Sequence, residues 1–261
     1  MKNFKGILPG MFTMGNLACG FASIITSAKA LDTPGGLSNN NLFEAVWLIV
    51  LAAFFDFLDG LVARFTKGYS RFGVELDSLT DVVSFGVAPA VLLVSFGLIK
   101  HGNWAWILGF VFLMAATFRL ARFNLSATLE KKANFLGLPV PSAAIVIISY
   151  ILFSYEIWGE IRMEKFFIIV ILATAALMVS TVEFEAMPRF DFSKPTNRIK
   201  VILLIAAAIG IMINASLVIF PLGLLYILYG IGKLLFALLF GKKEKYRQRS
   251  PKTAKGGKEE S

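Results

Sequence analysis

Four carboxylates at helical spacing, Asp56, Asp59, Asp77 and Asp81, stand inside and beside segments that are otherwise apolar. Placing one Asp at the centre of a bilayer costs about 2.5–3.5 kcal/mol on insertion scales, so a cluster of four needs a cation or a polar cavity to compensate it. Asp56, Asp59, Gly60, Ala63 and Arg64 fall within an arc of about 140° when wound as an α-helix. Asp77 and Asp81 lie one turn apart and also share a face. Two short carboxylate arms from each helix can converge on one or two hard divalent cations, which prefer oxygen ligands. The spacing therefore predicts a site for Mg²⁺ or Mn²⁺.

The elements that must carry these residues are membrane helices. The 261-residue chain is 57% hydrophobic and contains 25 Phe, more apolar surface than a soluble domain of this length buries. Apolar runs of about 20 residues are expected at 12–30, 45–64, 77–99, 104–124, 142–158, 166–182, 199–220 and 222–240. The reading is an all-α, polytopic bundle of about eight transmembrane helices, with Pro221 separating the last two. Lys and Arg gather in alternate loops, which predicts both termini on the cytoplasmic side. Arg64, at the end of the second helix, then brings the carboxylates into the cytoplasmic leaflet. Residues 1–240 read as one membrane domain and 241–261 as a basic, disordered cytoplasmic tail that touches anionic headgroups. The net charge of +9 follows the loops of one membrane face and argues against a nucleic-acid partner.

The full run reads Asp56-x-x-Asp59-Gly60-x-x-Ala63-Arg64, eight residues, Gly73-x-x-x-Asp77-x-x-x-Asp81. It resembles the signature of the CDP-alcohol phosphotransferases, with every fixed position present. The resemblance implies transfer of a substituted phosphate from a CDP-linked donor to an alcohol, with release of CMP. It also implies divalent metal, expected as two ions, and a helical membrane core that forms a homodimer. Carried over by position, Asp56, Asp59, Asp77 and Asp81 would be metal ligands, and Asp81 would also act as general base. Gly60 and Ala63 would let a nucleotide approach the helix, Arg64 and Lys67 would meet phosphate oxygens, and Gly73 would turn the loop.

Segments 76–90 (LDSLTDVVSFGVAPA), 119–124 (RLARFN) and 135–144 (FLGLPVPSAA) resemble the serine-using phosphatidylserine synthases within that family. The opening segment 9–21 (PGMFTMGNLACGF) resembles their first helix, where Thr13 and Asn16 would approach the cytidine. Gly10 departs from the pattern, in which many members carry Asn after the Pro. The implied partners are CDP-diacylglycerol or CDP-archaeol, L-serine and membrane lipids, at a prokaryotic cell membrane with the site facing the cytoplasm. Arg119 and Arg122 are candidates for the serine carboxylate, since a guanidinium fork matches a carboxylate bidentately. A lipid phosphate or the charge bias of the loops would explain them equally well.

Other readings stay open at this point. Another acceptor, glycerol phosphate or an inositol phosphate, would use the same carboxylates. Intramembrane carboxylates can also line an ion or solute pathway, although the Gly60, Ala63, Arg64 and Gly73 framework disfavours it. Thr13 and Asn16 can serve as polar contacts between helices. Cys19 reads as a small core residue and His101 as a loop residue. Ala28-Lys29-Ala30 imitates a signal-peptide cleavage site, but the long first run is expected to be retained as a helix.

Overall fold

The structure is a computed structural model, and it describes residues 4–29, 39–66, 71–95, 104–129, 137–182 and 195–240. Lys67, His101, Lys131, Lys132 and the tail 241–261 lie outside the described residues, and the side chain of Arg64 is likewise not described.

The described residues are helical almost throughout. They form α1 (Phe4–Ala28), α2 (Asn39–Thr66), α3 (Arg71–Asp81), a π-helical segment (Val82–Val87), α4 (Ala88–Ser95), α5 (Trp104–Leu129), α6 (Val140–Trp158), α7 (Glu164–Val179) and α8 (Pro195–Phe240). Six spans among the described residues are long and apolar enough to cross a membrane, one of them running without interruption from Phe72 to Ser95. Large apolar side chains such as Trp47, Phe54, Phe57, Trp106, Phe110 and Leu225 are exposed on the protein surface. Such a surface is stable only against lipid tails or another apolar partner.

α1 packs along α2, and the seam is tied by the Ser23 hydroxyl, which donates to the Ala45 carbonyl at 2.8 Å. α6 is buried along most of its length. Its Tyr150 stacks on Phe167 of α7 with centroids 4.5 Å apart and meets Phe220 of α8 edge-on at 5.0 Å. The phenolic hydroxyl donates to the Arg162 carbonyl, so the polar tip of this buried ring is satisfied. Pro141 sits in the first turn of α6, where a missing N–H is harmless, and Gly159 ends the helix in the left-handed region at φ 70°.

Two expectations change. The helix expected from residue 77 begins at Arg71, so Asp77 and Asp81 stand within the uninterrupted span that ends at Ser95 instead of at its start. The last two expected helices form one 46-residue element whose break is at Asn214 (φ −153°, ψ 96°), not at Pro221. Asn214 acts as an N-cap for the second half, its Oδ1 accepting from the Leu217 N–H at 3.2 Å. Its amide also donates to Glu156 Oε1 of α6 at 3.1 Å. Pro221 then falls within the capped half and removes one ladder bond without ending the helix.

Candidate active site

On α2, Asp59 is buried and Asp56 half-buried, while Phe54 and Phe57, about 100° or more around the helix from both aspartates, are exposed. Asp77 and Asp81 come from α3. The structure brings Asp56, Asp77 and Asp81 together, with one carboxylate oxygen from each within 4.8 Å of the others. Asp59 stands outside that trio. It is buried, and its Oδ2 accepts the hydroxyl of Thr13 from α1.

Asn16, one turn after Thr13 on α1 and fully buried, donates its amide to Asp81 Oδ1 at 3.3 Å. α1 therefore supplies a polar contact to one aspartate on each of the two other helices. Sequence spacing alone leaves Thr13 and Asn16 as generic interhelical contacts; the structure sets both directly on the carboxylates.

Three mutually close carboxylates under partial burial repel one another strongly unless a cation lies among them. Hard oxygen donors from two helices suit a divalent ion such as Mg²⁺ or Mn²⁺. A second observation fits a charged polar guest. Asn16 Oδ1 and Arg119 Nε are buried with no hydrogen-bond partner among the described residues, and both belong to residues grouped around Asp81. A methyl group added at Gly60 would meet nothing within 4 Å among the described residues, which leaves open space there on the arc that carries Asp56 and Asp59. Ala63 is half-buried on that arc, and Gly73 lies in the first turn of α3, not in a loop.

The two candidate acceptor arginines separate. Arg119 of α5 is 6% exposed, lies within electrostatic reach of Asp81 and of Tyr226 on α8, and places its guanidinium 5.1 Å from the centroid of Phe123. Arg122 instead caps the end of α7. Its guanidinium donates to the carbonyls of Val179 at 2.8 Å, Met178 at 3.1 Å and Ser180 at 2.9 Å. The last carbonyls of a helix have no intrahelical donor of their own, and a cation at a helix C-terminus also complements the dipole.

Asn124 joins α5 to α3. Its Oδ1 accepts from the Ser78 hydroxyl at 3.0 Å, and its amide donates to Glu75 Oε2 at 3.1 Å. Sequence reasoning missed Ser78, Asn124 and Tyr226 as neighbours of the site. Asn124 closes the RLARFN segment and offered a signal, whereas Tyr226, in an apolar run, offered none.

A family model for CDP-alcohol phosphatidyltransferase matches residues 6–238 of the chain. Among similar proteins is a CDP-diacylglycerol–serine O-phosphatidyltransferase from Helicobacter pylori, 30% identical over 235 residues, covering 89% of this chain and 93% of the relative. A protein of the same name from Methanocaldococcus jannaschii is 37% identical over 194 residues, 74% of this chain and 85% of the relative. An archaetidylserine synthase from Methanothermobacter thermautotrophicus is 35% identical over 187 residues, 70% of each chain.

Proposed function

Because the chain belongs to the CDP-alcohol phosphatidyltransferase family, and because three of its signature aspartates converge within 4.8 Å beside a buried arginine, we propose that it makes phosphatidylserine or its archaeal ether counterpart from a CDP-linked lipid and L-serine. The observation that carries this reading is the carboxylate trio. Its members come from the Asp56–Asp81 run that resembles the family motif, and relatives named for serine transfer match most of the chain.

In the proposed reaction, the serine hydroxyl oxygen bonds to the lipid-linked phosphorus while the bond from that phosphorus to the oxygen of the CMP phosphate breaks. CMP leaves with the electron pair, and the hydroxyl proton passes to Asp81. Asp56, Asp77 and Asp81 would hold divalent metal, with Asp59 contributing through the oxygen not bonded to Thr13. When bound, metal supplies charge neutralisation at the pyrophosphate and the leaving group. Asn16 holds Asp81 from the side of α1. Thr13 and Asn16 border the cytidine, the open space at Gly60 receives the nucleotide, and Arg64 and Lys67 meet its phosphates. Arg119 takes the serine carboxylate, whereas Arg122 fixes the framework through α7. The site faces the cytoplasm, where serine is available, while the lipid donor enters from the bilayer. A homodimer completes the proposal.

The test is CMP release by the purified protein in detergent, with Mg²⁺ or Mn²⁺, CDP-diacylglycerol or CDP-archaeol as donor, and serine, glycerol phosphate or inositol phosphate as acceptor. Metal-dependent release with serine, accompanied by the serine lipid, is the expected result. Release with a different acceptor and none with serine would overturn the serine assignment. The donor arms decide between ester and ether lipid.

A further inference from the structure

The π-helical segment Val82–Val87 follows directly after Asp81, and its third residue, Ser84, is fully buried. Inside an α-helix a serine hydroxyl commonly bonds a carbonyl of the preceding turn of the same helix. Ser84 reaches across to another helix, donating to the main-chain carbonyl of Asn16 at 3.1 Å. The same Asn16 donates its side-chain amide to Asp81. One residue of α1 is thus held at two points by a single turn of the helix that carries Asp81.

The backbones approach closely at this seam. A Cβ added at Gly20 would lie 2.2 Å from Ser84 Oγ and 2.7 Å from Ser84 Cα, so a residue with a side chain at position 20 would displace the π segment. Gly20 follows Asn16 by one turn, placing its N–H on the carbonyl that Ser84 also addresses. Single-turn π segments occur often at functional sites, where the wider turn redirects side chains. Here the wide turn brings Ser84 against α1. One hydrogen bond between two helices is a pivot, whereas two bonds and a backbone contact fix both register and rotation.

We propose that Ser84 is a positioning residue for the transfer step: it anchors Asn16 so that the Asn16 amide holds Asp81 in the orientation that accepts the acceptor hydroxyl proton. The inference rests on the reading of Asp81 given above. In this role Ser84 acts through Asn16 and not on the substrate or metal directly. Its removal lowers the rate of the chemical step and leaves substrate binding in place.

The experiment compares full-length Ser84→Ala, Asn16→Ala and the double variant with the unmodified protein, using steady-state kinetics with saturating metal and thermal melting in the same detergent. In Ser84→Ala, kcat should fall about tenfold, as expected when one buried hydrogen bond that orients a reacting group is lost. The KM values for serine and CDP-lipid should change by less than about twofold, which marks a loss felt in the transition state and not in uniform binding. The double variant should be no slower than Asn16→Ala, because Ser84 acts through Asn16. Ser84→Cys, which keeps the volume but offers only a weak donor, should fall between the two enzymes and provides the same measurement if the alanine variant does not purify. An unchanged kcat in Ser84→Ala or Ser84→Cys, a loss confined to KM, or losses that multiply independently with Asn16→Ala would each overturn the proposal. Full activity in Asp81→Asn would instead overturn the reading of Asp81, so the two failures are distinguishable.

Discussion

At the scale of single residues, the carboxylates do not act as equals. Asp56, Asp77 and Asp81 share one small volume, whereas Asp59 is held by Thr13. Asp77→Asn removes a member of the trio, and transfer should be abolished while the protein still purifies in folded form; near-normal turnover in that variant would remove the metal assignment. Asp59→Asn should also abolish transfer. Asp81→Asn should slow single-turnover CMP formation by about 10²–10⁴-fold, the usual worth of a general base, and more if metal is lost with it. Equilibrium binding of CDP-lipid to the same variant should survive better than turnover. The arginines should divide cleanly. Arg119→Gln should raise the KM for serine without a matching loss of donor affinity. Arg122→Gln should lower the melting temperature instead, since hydrogen bonds from a charged group contribute about 1.5–3 kcal/mol and three carbonyls lose theirs. Arg119→Gln with unaltered serine kinetics would move that side chain to the phosphate pocket.

At the scale of elements, the site depends on how helix ends and helix seams are built. The end of α7 is held by Arg122 from α5 and by two main-chain bonds: Gly137 N–H to the Val182 carbonyl at 2.8 Å and Leu138 N–H to the Leu177 carbonyl at 3.0 Å. Gly137 adopts φ 81°, and a Cβ there would lie 2.4 Å from the Met178 oxygen and 2.6 Å from Arg122 Nη2. Gly137→Ala therefore combines a left-handed backbone, costing about 1–2 kcal/mol for a residue with a side chain, with a collision against the Arg122 cap. Its melting temperature should fall at least as far as that of Arg122→Gln, and the double variant should be little worse than Gly137→Ala alone, because both disturb one junction. Independent, additive losses would show that the two residues stabilise separate contacts.

At the scale of the whole molecule, six apolar spans and a bare apolar exterior make this a multi-pass membrane protein. The loop charges predict cytoplasmic termini, with Arg64, Arg119 and Arg122 toward that side. Single cysteines placed at the C-terminal tail and near Lys100, in a variant lacking the buried Cys19, should react with a membrane-impermeant thiol reagent from opposite sides of sealed vesicles. Labelling of the tail from the outside of right-side-out vesicles would invert the topology and take the proposed active site away from cytoplasmic serine.

The family, the membrane class, the four aspartates and the helices carrying them were legible in the sequence because each rests on local pattern. Helical period sets which residues share a face, and hydropathy reports the solvent around a span. Thr13 and Asn16 were also legible as residue types, though not as partners of particular carboxylates. Tertiary structure alone decided that Asp59 pairs with Thr13, that Asn16 reaches Asp81, that Arg122 caps α7, and that Asn214, not Pro221, breaks the last long helix. The reason is physical. A hydrogen bond between residues 46 or 65 positions apart depends on the relative rotation and depth of two helices, which packing sets and no period along either helix encodes. Likewise a proline permits a bend without requiring one, and the bend settles where a side chain such as Asn214 can satisfy the freed backbone groups.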